Sequence, residues 1–260
     1  MADFTAVKMT ALPGLPEIRP GNPLAKMLAE AVDLATISPA SGDVLVVAHK
    51  VVSKAEGRIV HLDDVTPSAR AIELAQETRK DPAKIELILQ ESAQILRIKP
   101  PRPDRESVII CQHRNGQIMA NAGIDESNAP GERTVILLPK DADASAQRLR
   151  AELAELLDGP TPGIVISDTF GRPWRMGLVN VAIGLAGVPA VIDQTGETDT
   201  QGRVLRATVP AFADEVAAAA GLLMHKRAAT PAVWIHGLRW PESSAKASDL
   251  LRAAEEDLFR

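Results

Sequence analysis

The sequence contains one cysteine, no tyrosine, and only four phenylalanines and three tryptophans in 260 residues. The single cysteine, Cys111, excludes an internal disulfide and is typical of a reducing compartment. The scarcity of aromatic rings removes the stacking platforms that hold single-stranded nucleic acid. An excess of basic charge is also missing, since the formal net charge is -5. Binding to a nucleic-acid backbone needs a basic face, so no nucleic-acid partner is expected.

The chain also lacks segments that direct a protein to or through a membrane. Its first ten residues, MADFTAVKMT, contain no basic stretch followed by an apolar one, so no secretory signal is predicted. No apolar run approaches the roughly 20 residues that cross a bilayer. We therefore expect a cytoplasmic protein without membrane contact.

Standard nucleotide-binding and catalytic motifs are absent as well. The sequence has no G-x-x-x-x-G-K-[ST] phosphate loop (P-loop) and no G-x-G-x-x-G after a strand. It has neither the Cys/His spacing of a zinc site nor a G-x-S-x-G nucleophile elbow. An active site in this chain must therefore be assembled from other residues.

The sequence does show an alternation of strand-like and helical patterns, which predicts a mixed α/β (α+β) protein. Strand-like runs occupy residues 4–9, 43–53, 107–112, 134–139, 163–168, 189–194 and 232–237. Helical patterns occupy residues 22–35, 81–96, 141–159 and 210–226, and a short terminal helix is predicted within 241–260. At this length, residues 1–260 form one large domain or two joined lobes, with the Pro-rich segment 98–107 as a crossing between lobes.

Two polar stretches lie in the first quarter of the chain. GLPEIRPGN (14–22) is a rigid loop whose backbone amides either contact a base or phosphate or only connect two elements, and the residues alone favour the connector. HKVVSKAEGR (49–58) places Lys50 and Lys54 on one face of a predicted strand. These lysines either share an anion such as phosphate or are solvated at a sheet edge.

A third polar stretch, ANAGIDESNAPGER (120–133), is rich in small and hydrogen-bonding residues. Its side chains Asp125 and Asn128 suit a metal ion and a nucleotide, respectively. Asx turns around Gly123 account for many of the same residues. Both interpretations are compatible with the sequence.

The fourth polar stretch, ISDTFGRPWR (166–175), follows an apolar run and is predicted to end a strand at Asp168. Open α/β sheets place ligands at such strand ends. Thr169 offers a hydroxyl to a cation, and Arg172 and Arg175 offer forks to phosphate or carboxylate. A plain turn with a surface salt bridge is the less favoured interpretation.

Two carboxylates, Asp125 and Asp168, and the Thr169 hydroxyl are oxygen ligands of the kind that magnesium prefers. Two carboxylates that meet without a cation would repel each other. The sequence therefore suggests phosphoryl chemistry on a nucleotide, with a divalent cation and without a phosphate loop.

At these same residues the chain resembles the coenzyme F420-0:gamma-glutamyl ligases. The segments that match are GLPEIRPGN, GDVLVVAHKVVSKAEGR, ANAGIDESN, SDTFGRPWRMGLVNVAIGLAG and GETDTQGRVL, in the family's order. The resemblance implies a family-specific fold with mixed sheets, in an intertwined homodimer. It also implies a ligase that joins L-glutamate to a carboxylate on the phosphodiester-linked side chain of coenzyme F420-0. GTP would be the co-substrate that converts this carboxylate into an acyl phosphate, and the cations would be two Mg²⁺ or Mn²⁺, with K⁺ as a further candidate.

The resemblance also implies roles for individual residues. Nucleotide contacts would come from Leu15, Pro16, Glu17, Ile18, Lys54 and Asn128, with Lys54 on the phosphates. Metal ligands would be Asp125, Asp168 and Thr169. From their chemistry alone, Arg172 and Arg175 are added as catalytic binders of phosphate or acceptor.

The sequence departs from the family pattern at two places. His49 replaces a Ser or Thr that members often carry, and we expect it either to bond a phosphate or to be an ordinary strand-end histidine. His225, Lys226 and Arg227 replace a glycine and a Gln or acidic residue whose side chain reaches a metal. A protonated lysine cannot bind a cation, so either one metal position is weaker, or the cations bind the nucleotide phosphates directly, or the acceptor has changed. Lys226 is placed among the expected nucleotide-binding residues.

These departures leave alternative functions open. The same ligase chemistry on another carboxylate is one, and a nucleotide-binding or hydrolysing protein that has lost ligation is another. From the length of 260 residues we expect no fused flavin-binding nitroreductase-like domain of the kind that some relatives carry.

Overall fold

The computed structural model describes residues 6–104, 106–224 and 229–258. Strands and helices alternate along the chain, and three sheets are formed. In chain order the elements are β1 (Lys8–Ala11), α1 (Leu24–Leu34), β2 (Val44–Ala48), α2 (His49–Ala55), β3 (Ile59–His61), α3 (Ala69–Thr78), α4 (Pro82–Glu91), β4 (Ser92–Lys99), β5 (Val108–His113), β6 (Ile118–Ala120), β7 (Thr134–Ile136), α5 (Ala142–Leu156), β8 (Gly163–Arg172), β9 (Arg175–Ala186), α6 (Phe212–Gly221) and β10 (Ala232–His236). The predicted mixed α/β class is confirmed.

The central sheet has five strands in the order β1-β10-β2-β8-β9. Only β2 and β8 run parallel, and their pairing begins at Val44 with Gly163 and ends at Ala48 with Ser167. β8 then continues past the end of β2, paired on its other side with the antiparallel strand β9. One edge of β8 is therefore left without a neighbouring strand beyond Ser167, within the described residues.

Apolar side chains cover both faces of the central sheet. On one face, α1 and α5 pack over Leu45, Ile164 and Trp234. On the other face, α6 packs over Val46 and Val165. Each fully buried side chain of this size contributes about 1.5–3 kcal/mol, so this two-sided core holds β2 and β8 rigidly in place.

The segment between β3 and β7 forms the two smaller sheets, with strand orders β3-β7 and β4-β5-β6. Helices α3 and α4 pack against these strands through a separate cluster that includes Leu74, Ile85 and Ile109. Cys111 is buried in this cluster, so it is a packing residue and its free thiol is shielded from solvent. Helix α4 begins as predicted, with Asp81 capping the Ala83 amide and Pro82 in the first turn.

Several expected boundaries were wrong. The run 43–53 is not one strand: it becomes helix α2 at His49, because Val51 and Val52 turn inward and pack in the core. The helical pattern 81–96 stops at Glu91, and the rest joins β4, where it pairs with β5. Residues 189–194 form no strand; within a loop that is buried at Ala190, the amides of Ile192 and Gln194 donate to the carbonyls of Pro210 and Thr208. The end of the chain has 3-10 turns at Ala247–Leu250 and Ala254–Glu256 instead of a helix.

Candidate active site

A cleft of about 510 Å³ lies where β2 ends and α2 begins. The loop before α1, the loop after β6 and the middle of β8 all reach it. Its walls are formed by Leu15, Pro16, Glu17, Ile18, Ala48, His49, Lys50, Val51, Lys54, Asp125, Asn128, Ala129, Pro130, Ser167, Asp168, Thr169, Asn180, Met224, Ala229, Thr230 and Pro231. Three of the four polar stretches that stand out in the sequence, and part of the fourth, therefore meet in one place.

Lys50 and Lys54 enter the cleft from α2. The expectation that they share a strand face was wrong, because both lie on the helix. They are four residues apart, which puts them on one helical face, so the two charges still point to the same side. The solvated-edge alternative does not hold either, since Lys54 is only 4% exposed.

Lys50 holds the loop that carries Asp125. Its ammonium lies 2.6 Å from Asp125 Oδ2 and donates to Ser127 Oγ at 2.5 Å and to the Ser127 carbonyl at 3.2 Å. The Ser127 amide donates to Asp125 Oδ1 at 2.6 Å. Burial raises the pKa of Asp125, but the hydrogen bonds from Lys50 and Ser127 outweigh burial and lower this pKa to about 2. Asp125 is therefore ionised at neutral pH, and the same residue both forms an Asx turn and faces the cleft.

Lys54 is paired with the loop before α1. Its ammonium donates to Glu17 Oε1 at 2.5 Å, although the Glu17 side chain is 65% exposed. A buried ammonium whose carboxylate partner is exposed to solvent is a site that an anionic ligand can enter by displacing that carboxylate. The loop 14–22 is therefore more than a connector.

Asp168 lies beside the buried imidazole of His49. Asp168 Oδ1 is 3.2 Å from His49 Nε2, close enough for an ion pair, although the alignment is not that of a hydrogen bond. The other ring nitrogen of His49 lies 3.5 Å from Ser53 Oγ. His49 is thus the first residue of α2 and buried against Asp168, and it is not at a strand end. Asp168 itself is mid-strand, because β8 continues to Arg172; the predicted strand end was wrong.

Thr169 faces the opposite side of the sheet from Asp168, because successive side chains of a strand alternate. Its cross-strand partner is Asn180 of β9, and the Thr169 hydroxyl lies 3.5 Å from Asn180 Oδ1. Asp168 and Thr169 still line one cleft, because no strand covers β8 beyond Ser167 within the described residues. The cleft therefore receives oxygen ligands from both faces of β8.

The remaining predicted residues are placed as follows. Asn128 lines the cleft with a left-handed backbone, φ 59°. Arg172 and Arg175 lie at the tip of the β8–β9 hairpin, outside the cleft lining, and Arg172 donates to the Met176 carbonyl. The prediction for Lys226 lies outside the described residues, together with its neighbours His225 and Arg227.

Comparison with known proteins shows the family of the chain. The sequence profile of the F420-0:Gamma-glutamyl ligase family matches residues 14–237, which carry every wall of the cleft. The chain belongs to this family.

Three relatives of the F420-0 ligase family, each named coenzyme F420:L-glutamate ligase, illustrate the similarity. The protein of Methanopyrus kandleri is 43% identical over 100% of both chains. The protein of Methanothermobacter thermautotrophicus is 39% identical over 98% of this chain and 99% of its own. The protein of Methanocaldococcus jannaschii is 40% identical over 84% of this chain and 85% of its own. These relatives are ligases that form a C–N bond, and the chain is an enzyme of that class.

The side chains of the F420-0 ligase cleft fit the divalent cations that the family resemblance implies. Asp125 and Asp168 are carboxylates, and Thr169 and Asn180 add neutral oxygens, which suits a hard cation such as Mg²⁺. Within the residues that the structure describes, no group of three His, Cys, Asp or Glu side chains is arranged to hold a metal by itself. This donor set suits an ion that also takes ligands from phosphate and water.

Sequence reasoning missed Asn180, Ser167 and Met224 as parts of the cleft. Asn180 Nδ2 and Ser167 Oγ both approach the Met224 sulfur, at 3.6 and 3.9 Å. Asn180 is a lone polar residue in the apolar run LVNVAI, which is the signal that identifies it in retrospect. Gly221 of α6 lies against the Asn180 carboxamide, where an added Cβ would come within 3.1 Å.

No helix in the described ranges is long and apolar enough to cross a membrane.

Proposed function

We propose that this protein is a GTP-dependent ligase that adds L-glutamate to the carboxylate of coenzyme F420-0. The observation that carries the proposal is the cleft itself, in which two lysines and two carboxylates meet in a chain of the F420-0 ligase family. Lysines suit the phosphates of a nucleotide, and carboxylates suit the cations that accompany them.

The nucleotide is bound between the loop before α1 and helix α2. Lys54 and Lys50 bind its phosphates, since both ammonium groups point into the cleft from one helical face. Leu15, Pro16 and Ile18 supply an apolar wall for the base. Asn128 on the opposite loop supplies a carboxamide that donates to or accepts from the nucleotide.

Asp125, Asp168 and Thr169 are the residues that would hold two Mg²⁺ or Mn²⁺ ions, with K⁺ as a further candidate. Such cations offset the charge that builds up when a phosphate meets a carboxylate. The chain's part is to keep Asp125 ionised through Lys50 and to seat Asp168 against His49.

The reaction takes place in two steps. An oxygen of the acceptor carboxylate attacks the γ-phosphorus of GTP, and GDP leaves, which forms an acyl phosphate. The neutral amine of glutamate then attacks the acyl carbon, inorganic phosphate leaves, and the amine loses a proton to give the amide. A carboxylate is a poor electrophile, whereas an acyl phosphate has a good leaving group. Lys50 and Lys54 lie where they can stabilise the transferred phosphoryl group.

We also propose that the enzyme is a homodimer joined in part through the β8–β9 hairpin. Met176 and Leu178 near its tip are 92% and 68% exposed in the isolated chain. Large apolar side chains on a projecting hairpin are stabilised when a second copy covers them. Light scattering of the wild type and of a Met176→Ser/Leu178→Ser variant tests this, and we expect the variant to have half the mass of the wild type.

The function is tested by mass spectrometry of a reaction with GTP, Mg²⁺, L-glutamate and F420-0. We expect a product heavier by glutamyl units, with one GDP per amide bond formed. GDP release without acceptor and glutamate would instead show a hydrolase. Tight GTP binding with no product from F420-0 would point to a different carboxylate acceptor.

A further inference from the structure

The open edge of β8 begins inside the cleft. Gly163 donates its amide hydrogen to the Asp43 carbonyl, so the main-chain groups of residue 163 point toward β2. Main-chain groups of a strand point to alternate sides, so those of Ser167, Thr169 and Gly171 point the same way. β2 stops at Ala48, opposite Ser167. Within the described residues, the sheet therefore has no strand opposite Thr169 and Gly171 on that side.

The main-chain groups of Thr169 and Gly171 on this edge differ in the hydrogen bonds that they can form with a ligand. The Thr169 amide donates to the neighbouring Asp168 Oδ1 at 2.6 Å, so Thr169 offers chiefly its carbonyl. Gly171 is exposed, and a Cβ added there would meet no heavy atom within 4 Å. Its amide hydrogen and carbonyl lie on the same side of β8 as those of Thr169, about 7 Å further along the strand, where no strand of the described residues pairs with them.

We infer that this edge binds the phosphodiester-linked side chain of the acceptor, in an extended conformation. The inference rests on the proposed function, because it needs the acceptor carboxylate beside Asp168 and Thr169. From that point the side chain has to leave the cleft, and the edge leads outward to Gly171. An anionic oxygen of the phosphodiester accepts the Gly171 amide hydrogen, as an added strand accepts from a sheet edge.

Positive charge at the tip of the β8–β9 hairpin favours a path of the acceptor side chain from the cleft toward Gly171. Arg172 and Arg175 pair across the hairpin just beyond Gly171 and are exposed. The predicted catalytic role for these arginines found no support in the cleft lining, but their place at the end of the edge suits a phosphodiester anion. The edge and the arginines together form one path for an extended anionic chain.

Gly171→Pro and Gly171→Ala form a matched pair of variants that tests the edge. Proline removes the amide hydrogen, which points away from β9, so the β8–β9 ladder keeps its bonds. Alanine keeps the amide hydrogen and adds a methyl group to open space. We expect Gly171→Pro to raise the KM for the acceptor about tenfold, with the affinity for GTP unchanged, and Gly171→Ala to match the wild type. Equal acceptor KM values for the two variants would overturn the inference.

A second measurement uses the wild type and needs no turnover. Amide hydrogen exchange is followed by NMR with GTP alone and with GTP and F420-0. We expect the acceptor, and not GTP, to slow exchange at Gly171. If exchange at Gly171 stayed unchanged in a sample that ligates glutamate, the β8 edge would not be the binding site of the acceptor side chain. The proposed function would still stand. If the proline variant, and not the alanine variant, changed the mass of the assembly, the edge would belong to a second copy and the inference would fall.

Discussion

Two pairs of aspartates show how differently this protein uses the same side chain. Asp125 and Asp168 face the cleft and lie beside the side chains of Lys50 and His49. Asp143 and Asp214 lie in the first turns of α5 and α6 and accept hydrogen bonds from the main chain of β9. The first pair has charged or titratable side chains beside it in addition to local main-chain amides, whereas the second pair accepts hydrogen bonds from main-chain amides alone, within the described residues.

The pKa values follow this difference. Burial raises the pKa of Asp125, but Lys50 and Ser127 lower it to about 2 overall. Burial also raises the pKa of Asp143 and Asp214, and the amide hydrogens of Leu185 and Ala182 only partly oppose it. A carboxylate next to an ammonium is kept charged for a ligand, whereas a carboxylate that caps an edge strand is a structural acceptor.

Asp168→Asn is the change with the largest expected effect. It keeps the size of the side chain and removes the charge proposed to hold a cation, so we expect kcat to fall about 10²–10³-fold. The melting temperature should stay close to that of the wild type, because Asp168 lies in the cleft wall and not in the core. Ligation at the wild-type rate by this variant would contradict the assignment of Asp168.

Asp214→Leu should lower the stability and leave kcat nearly unchanged, which is the reverse of the effect expected for Asp168→Asn. It leaves the Ala182 amide hydrogen without its acceptor, which costs about 1–3 kcal/mol of unfolding free energy. Denaturant unfolding measures this loss, and Asp214→Asn, which keeps an acceptor oxygen, is the matched control. The kcat of the folded enzyme should change little, since Asp214 does not line the cleft. If the two variants were equally stable, the capping role would be wrong.

The sequence predicts one of these pairs far better than the other. Asp168 stands out because it follows the apolar run GIVIS, whereas Asp125 lies in a polar loop where an Asx turn explains it equally well and stands out only through its match to the family segment. Asp143 and Asp214 look like ordinary residues of a helical first turn, and nothing local shows that they reach β9. Lys50 and Ser127 are 77 positions apart in the sequence, so their contact depends on how distant segments pack and is not visible in any local pattern.

Boundaries were the least predictable part of the fold. Five of the nine residues from 44 to 52 are valines, which are β-branched and favour a strand. Tertiary packing instead turns the chain into α2 at His49, and this turn is what brings Lys50 and Lys54 to the cleft. The alternation of elements was predictable from periodicity, whereas the position of the turn depended on contacts distant in sequence.

Lys50→Met removes the ammonium group that now neutralises Asp125, and so tests whether this aspartate is available to a metal ion. A divalent cation would no longer compete with the ammonium for this carboxylate. We therefore expect Mn²⁺ to bind about tenfold more tightly to the nucleotide-free variant than to the wild type. Mn²⁺ titration followed by electron paramagnetic resonance measures this without any turnover. Lys84→Met, which removes a buried lysine paired with Glu126 outside the cleft lining, is the control. Weaker binding in Lys50→Met would mean that Lys50 supports the cation site.

The smallest and most specific effect is on the pH dependence of stability, measured without metal. The folded pKa of Asp125 is lowered, so its contribution is present above the unfolded value near 3.8 and is lost as pH falls toward 2. Asp125→Asn should therefore lose roughly 1–2 kcal/mol of unfolding free energy at pH 7 and almost none at pH 2.

The folded pKa of Asp214 is raised, so its contribution is present in acid and is lost as pH rises through that value. The stability of Asp214→Asn relative to the wild type should accordingly increase as pH rises from 3 to 7. Urea unfolding across this pH range measures the unfolding free energy of each variant relative to the wild type, and we expect this difference to change with pH in opposite directions for the two variants. A change in the same direction would mean that the two carboxylates do not differ as their contacts indicate.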